Sequence, residues 1–209
     1  MEPHNGTFNF WGAGKANGAP FYLFFDTETT GLPKDWKAPV TKLDNWPRLI
    51  QIAWVLYDEE GNTLEERSYI VKPDGFEIPK VASDIHGITT EMALREGRPL
   101  VDVLKEFSQV ADKAKRLVAH NMSYDIMIIH AELLRNGLPC GIEKKVKICT
   151  KESSTNFCAI DGPYGYKWPK LNELYMKLFN EELKDAHDAL VDVKATAKCF
   201  WEMKKRGVI

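Results

Sequence analysis

No stretch of the sequence approaches the roughly 18 consecutive apolar residues that a membrane-crossing helix needs, so no membrane association is expected. The start, Met1 to Pro20, has neither the charged head nor the apolar run of a secretory signal. It is rich in Gly, Asn and Ala and reads as an arm ahead of the core. Cysteine is scarce. Cys140, Cys149, Cys158 and Cys199 form no CxxC pair and no zinc-ligand spacing. Reduced thiols in a cytoplasmic protein are the expectation. Charge of one sign is also lacking: the formal net charge is −2. That argues against a broad basic surface that coats nucleic acid. Internal repeats and low-complexity tracts are absent, which removes solenoids and arrays.

What is present suffices for one packed domain and is short for two: 209 residues, 44% hydrophobic and 28% charged. Residues 1–20 form the arm and 21–209 a single domain. Phe21 to Phe25 is an apolar run that reads as a buried strand stopping at Asp26. Lys34 to Arg48 has no clear period and reads as a long surface loop. Leu49–Tyr57 and Leu64–Val71 are strands, and the short turn between them favours antiparallel pairing. Short helices are expected at Ser83–His86 and Thr89–Arg95, around a break at Gly87. Leu100, Leu104, Phe107 and Ala111 share one helical face. A brief strand at Arg116–Ala119 precedes a helix from about Asn121 to Asn136, ended by Gly137 and Pro139. Val146–Cys149 is a further strand, and helices follow over Leu171–Phe179 and His187–Lys205. Three meandering strands followed by alternating helices and strands imply a three-layer α/β fold with a mixed sheet.

Three acidic clusters stand at the edges of these elements. Asp26 and Glu28 lie two apart, so an extended backbone points both carboxylates the same way. His120, Asn121, Tyr124 and Asp125 open a helix, with Asp125 in its first turn. His187, Asp188 and Asp192 open the last helix. Each cluster alone has an ordinary reading as a solvated turn or a capped helix start. Their recurrence at strand ends and helix starts points instead to one shared site.

These residues carry a resemblance. Asp26-Thr27-Glu28-Thr29-Thr30-Gly31-Leu32, His120-Asn121-Met122-Ser123-Tyr124-Asp125 and His187-Asp188-Ala189-Leu190-Val191-Asp192 resemble the three motifs of the DEDDh exonucleases. That family includes the proofreading epsilon subunit of bacterial DNA polymerase III. Ile85-His86-Gly87-Ile88-Thr89 matches a stretch the family carries between its first two motifs. The resemblance covers roughly Phe21 to Lys204. A sister group has tyrosine four residues before the last aspartate; here Asp188 stands there and His187 precedes it, the histidine type. The resemblance implies a ribonuclease H-like fold, with a five-stranded mixed sheet flanked by helices. It implies a metal-dependent 3′→5′ exonuclease acting on single-stranded or frayed DNA and releasing nucleoside 5′-monophosphates.

Hard cations, two Mg²⁺ or Mn²⁺, prefer carboxylate oxygens, and Asp26, Glu28, Asp125 and Asp192 supply them. His187 is the expected general base. By resemblance, the backbone near Thr29 contacts the terminal 3′-OH and Leu32 packs beside the terminal bases. His86 and Tyr124 are further candidate contacts; ordinary core packing is the alternative for Leu32 and Tyr124, and a helix-end hydrogen bond for His86. His120 reads as structural. Lys144, Lys145, Lys147 and Lys151 read as a solvated basic edge, with steering of a strand as the alternative. The motifs leave open an exoribonuclease of the oligoribonuclease or tRNA-trimming type, because the 2′-OH is read by pocket details outside them. An inactive binding or scaffold domain is a third reading, which the presence of all five catalytic-type residues disfavours. The expected partner is a single-stranded 3′ end, and no appended domain supports association with a DNA polymerase.

Overall fold

The structure, a computed structural model, describes residues 18–139 and 141–209. All but three residues of the expected N-terminal arm, and Cys140, lie outside the described residues. β1 (Tyr22–Thr29), β2 (Leu49–Tyr57), β3 (Thr63–Ile70), β4 (Arg116–Ala119) and β5 (Val146–Cys149) form one sheet in the order β3-β2-β1-β4-β5. β1 runs antiparallel to β2, and β2 to β3. β4 pairs parallel with β1 and with β5, which makes the sheet mixed as expected.

Both faces of the sheet are covered, so β2 is apolar almost throughout and buried except at Tyr57. On one face Leu23, Phe25 and Trp54 pack under α3 (Leu100–Lys113) and α4 (Met122–Arg135). On the other, Tyr22, Phe24 and Val55 pack under Val193, Ala197 and Phe200 of α8 (Ala189–Lys205). α7 (Leu171–Phe179) lies outside α8 through Leu174, Leu178, Cys199 and Met203. α1 (Lys80–His86) and α2 (Thr90–Glu96) meet at Gly87, whose φ of 74° suits the left-handed cap that ends α1. They cover Ile50 and Ile70. Cys149, Cys158 and Cys199 are buried free thiols. Among the described residues, no helix is long and apolar enough to cross a membrane.

Four features depart from the sequence reading. β1 continues to Thr29, so Asp26 and Glu28 lie on the strand and not beyond it. Pairing with β2 carries it on, with Asp26 opposite Ala53 and Glu28 opposite Gln51. The last helix begins at Ala189, because His187 has φ 74° and Asp188 caps the helix by accepting from the N–H groups of Leu190 and Val191. Between β5 and α7 stand two single-turn helices, α5 (Thr150–Ser153) and α6 (Thr155–Cys158), and a ribbon of β6 (Asp161–Gly162) and β7 (Gly165–Tyr166). Each is too short to show a period. Finally, the 34–48 segment is the surface loop expected over most of its length, but its end turns inward: Asn45, Trp46 and Pro47 are buried.

Trp46 is 5% exposed, and its indole donates to the Pro39 carbonyl. Arg135 of α4 donates to the carbonyls of Leu43 and Trp46. Glu132, fully buried, accepts from Arg48 at 2.8 Å and from the Leu49 N–H at 3.0 Å, and Arg135 pairs with it at 3.0 Å. This ion triad fastens the segment to α4. Removing one partner of a buried pair strands the other charges, at a cost of roughly 3 kcal/mol. Glu132→Ala is therefore expected to lower the urea midpoint strongly, whereas the exposed pair partner Asp84→Ala is expected to change it little. Equal midpoints for the two variants would contradict the triad's role.

Candidate active site

Side chains alternate along β1. Thr27 faces α4, while Asp26 and Glu28 follow Tyr22 and Phe24 toward α8. α8 starts beside the same strand end and brings Asp192, one turn inside it, onto Glu28. Glu28, His187 and Asp192 each offer a ligand atom, and these atoms lie within 4.8 Å of one another. Asp125 comes from the other side of the sheet, on the first turn of α4. It is 2% exposed, and its Oδ1 accepts from the Thr27 hydroxyl at 2.6 Å.

Burial raises the pKa of all four acids, and at Asp26 and Glu28 the neighbouring acids raise it further. Burial pushes the Asp26 carboxyl well above the carboxylate range, and Asp125, Asp192 and Glu28 push it further. Glu28 is pushed up to about 8, by burial first and then by Asp192 and Asp125. Burial raises Asp125 to about 7 against the pull of its bond from Thr27. Asp192 is raised by burial, against the His187 N–H that donates to its Oδ2 at 3.0 Å. Asp125 Oδ2 and Asp192 Oδ1 are buried with no hydrogen-bond partner. Buried acceptors without donors are rare, and here they belong to like-charged groups. Oxygen atoms of this kind suit a hard divalent cation.

His187 is exposed beside this cluster. Its left-handed backbone is uncommon for a residue with a side chain, and such conformations gather at functional sites. His86 reaches the same place from the end of α1. Its Nδ1 accepts from the Ile88 N–H at 3.1 Å, and its Nε2 is buried without a partner. Burial holds this imidazole below its ordinary pKa; the Thr29 backbone works the other way, and His187 works with burial.

The Tyr124 hydroxyl lies 2.6 Å from the Thr29 hydroxyl and 2.7 Å from the Gly31 carbonyl. Burial raises its pKa. This bond fastens the turn after β1, and beyond it Leu32 stands 72% exposed. Core packing thus accounts for Tyr124 but not for Leu32. His120 is structural as expected: its ring nitrogens meet the Thr150 hydroxyl at 3.0 Å and the Pro169 carbonyl at 3.1 Å, and burial lowers its pKa to about 4. The basic edge divides. Lys145 and Lys147 donate to backbone carbonyls, whereas Lys151 turns inward to the Asn121 side chain.

Gln51 is the residue that sequence reasoning missed. It sits opposite Glu28, accepts from the Ala189 N–H at 3.2 Å and lies 3.5 Å from Asp188 Oδ2. It ties the start of α8 to β2. As the one polar side chain within the apolar run Leu49–Tyr57, apart from the terminal tyrosine, it was visible as a group needing a partner.

Comparison with known proteins adds the following. A family model described as Exonuclease, RNase_T, matches residues 23–200. DNA polymerase III PolC-type from Streptococcus sanguinis is 32% identical over 180 residues, covering 86% of this chain and 11% of that protein. The PolC-type protein of Streptococcus pyogenes serotype M2 is 34% identical over the same length, again 86% and 11%. The chain thus spans about a tenth of the curated relatives it matches. Among solved structures, E. coli Exonuclease I in complex with a dT13 oligonucleotide gives a TM-score of 0.71 at 22% identity, covering 88% of this chain and 41% of that one. The zinc ion bound form of the E. coli ExoI–ssDNA complex gives 0.70 at 22%, covering 90% and 41%. These two likenesses establish the fold.

The raised carboxyls have a consequence for stability. Glu28 ordinarily titrates near 4.5 and does so near 8 in the folded chain. Between those values the folded state holds more protons than the unfolded one, so stability falls as pH rises through the window. In EDTA the melting temperature is expected to drop from pH 5 to pH 8, and Mn²⁺ to remove most of that slope. A melting temperature in EDTA that stays flat or rises would show that the acids do not repel one another as described.

Proposed function

Because the chain belongs to the RNase_T exonuclease family, as a DEDDh-type member of the ribonuclease H-like superfamily, we propose that it hydrolyses single-stranded or frayed DNA from the 3′ end and releases nucleoside 5′-monophosphates. The observation that carries this reading is the gathering of Glu28, Asp192 and His187 beside Asp26 and Asp125, with two buried carboxylate oxygens lacking any donor. Residues 21–209 act in it as one exonuclease domain.

Asp26, Glu28, Asp125 and Asp192 are the residues that hold two divalent cations, Mg²⁺ or Mn²⁺. When bound, such ions supply Lewis acidity and offset the charge of a phosphodiester. The chain's own contribution is to hold four acids together in spite of their repulsion, through Thr27 under Asp125 and the His187 N–H on Asp192. His187, whose imidazole stands exposed beside Glu28 and Asp192, takes the proton of the attacking water. Thr29 and Tyr124 fix the turn that receives the terminal nucleotide, and Leu32 projects from it toward the terminal base. His86 offers its unpartnered Nε2 to the same nucleotide. The oligonucleotides named with the solved neighbours, dT13 and dA16, support DNA over RNA as the substrate. The PolC-type relatives make a polymerase-linked role the natural context to examine, although this chain matches only about a tenth of them.

Digestion of a 5′-labelled oligodeoxynucleotide and its RNA counterpart tests the reading. With Mg²⁺ or Mn²⁺ the DNA is expected to give a ladder of shortening products, with EDTA none. A labelled mononucleotide as the earliest product, or full activity in EDTA, would overturn it. His187→Ala and Asp26→Asn are expected to fail differently. The first keeps all four carboxylates and so keeps Mn²⁺ affinity by calorimetry, while turnover falls about 10²–10⁴-fold. The second weakens Mn²⁺ binding itself. Near-parental turnover by His187→Ala at neutral pH would remove His187 as the base.

A further inference from the structure

Trp46 and Trp54 are buried, but Trp168 is 62% exposed, although the chain on both sides of it is tightly held. Lys167 bonds through its ammonium to Glu173 at 2.6 Å and through its N–H to the Ile160 carbonyl at 2.8 Å. The Lys170 N–H donates to the other Glu173 oxygen at 2.7 Å, and the Pro169 carbonyl meets buried His120 at 3.1 Å. Trp168 is therefore presented from a fixed base and has no flexible tail to explain its position. Tyr166, 53% exposed, and Tyr164, fully exposed, stand just before it on the β6–β7 ribbon. Three exposed aromatic rings within five residues form a concentration that scattered surface apolar residues do not explain.

A cation completes the surface. The Lys151 ammonium lies 4.5 Å from the centre of the Trp168 ring and also donates to the Asn121 side chain, directly before α4. Asn121 in turn accepts, through its carbonyl, the Asp125 N–H at 3.1 Å. Lys151 thus links the aromatic surface to the carboxylate site. An exposed aromatic ring beside a lysine matches unpaired bases joined by phosphates, since every base offers a face to stack and every linkage a negative charge.

We propose that Trp168, with Lys151 and the ribbon tyrosines Tyr164 and Tyr166, is a stacking platform for the single strand behind the nucleotide being removed. This rests on the exonuclease reading and adds where the rest of the strand lies. The platform favours substrates long enough to reach it and is indifferent to base identity, because stacking needs only a π face.

The test compares KM for a twelve-nucleotide and a three-nucleotide oligothymidylate in Mn²⁺, using the full chain. The parent is expected to prefer the longer substrate. Trp168→Ala is expected to raise KM for the longer one roughly tenfold, the loss typical of one stacked base, and so to shrink the length preference. Trp168→Phe, which retains a ring, is expected to restore most of it, and Tyr164→Ser with Tyr166→Ser to reduce it without touching Trp168. Failure of the parent to shorten either oligonucleotide would remove the proposed function, and this platform with it. Digestion by the parent, with the length preference unchanged in Trp168→Ala or not restored by Trp168→Phe, would remove the platform alone.

Discussion

Repulsion among buried carboxylates is the constraint on which the rest of this structure depends. Four acids from β1, α4 and α8 share one end of the sheet, and each raises the pKa of its neighbours or is raised by burial. Among the described residues, the opposing charges are few: Lys151 acts on Asp125 and His187 on Asp192, each as a lesser influence than burial. A fold that gathers like charges must have been held by interactions elsewhere, because the cluster itself opposes folding at neutral pH. Those interactions are the two apolar layers on either face of β1 and β2, where Phe24, Phe25 and Trp54 are wholly buried.

The sheet does more than resist repulsion. Its alternation assigns Asp26 and Glu28 to the face of α8 and Thr27 to the face of α4, so one strand addresses both helices. A shift of register between Glu28 and Thr29 ends regular pairing with β2 just where the chain must turn away. Asp188 then caps α8 while Gln51 holds its first N–H, and these two contacts set where Asp192 falls. The strained backbone at His187 follows from the same requirement. The chain must approach the cap and yet leave an imidazole beside Glu28 and Asp192.

Much of this was legible in the sequence because the decisive relations are local. Asp26 and Glu28 are separated by two residues, and an extended chain makes that spacing a shared direction. Asp125 and Asp192 occupy first turns of helices whose apolar periods are long enough to read. The mixed sheet followed from runs such as Leu49–Tyr57 and the antiparallel β2–β3 pair from their short turn, while its five strands were what the resemblance implied and its order came only with the structure. What escaped notice depends on distant partners. The burial of Trp46 at the end of the 34–48 loop is fixed by Arg135, nearly ninety positions away. Gln51 became meaningful only when α8 was seen to start above it. The β6–β7 ribbon has two residues per strand, below any periodic signal.

The division between local and distant relations is also a division of labour in the site. The carboxylates and His187 of the motifs are specified by short spacings, and in the proposed function they handle what any phosphodiester presents: negative charge and a scissile bond. The residues proposed to decide which strand reaches them, Leu32 of the first motif and Trp168 outside all three, are placed by tertiary contacts. Tyr124 bonds Gly31 and thereby aims Leu32 outward, and Glu173 and His120 hold the segment that presents Trp168. Such positions change at little energetic cost, because exposed side chains contribute little to the core. Chains with the same three motifs can therefore share one chemistry and differ in the strands they accept, and substrate preference is to be sought at this periphery.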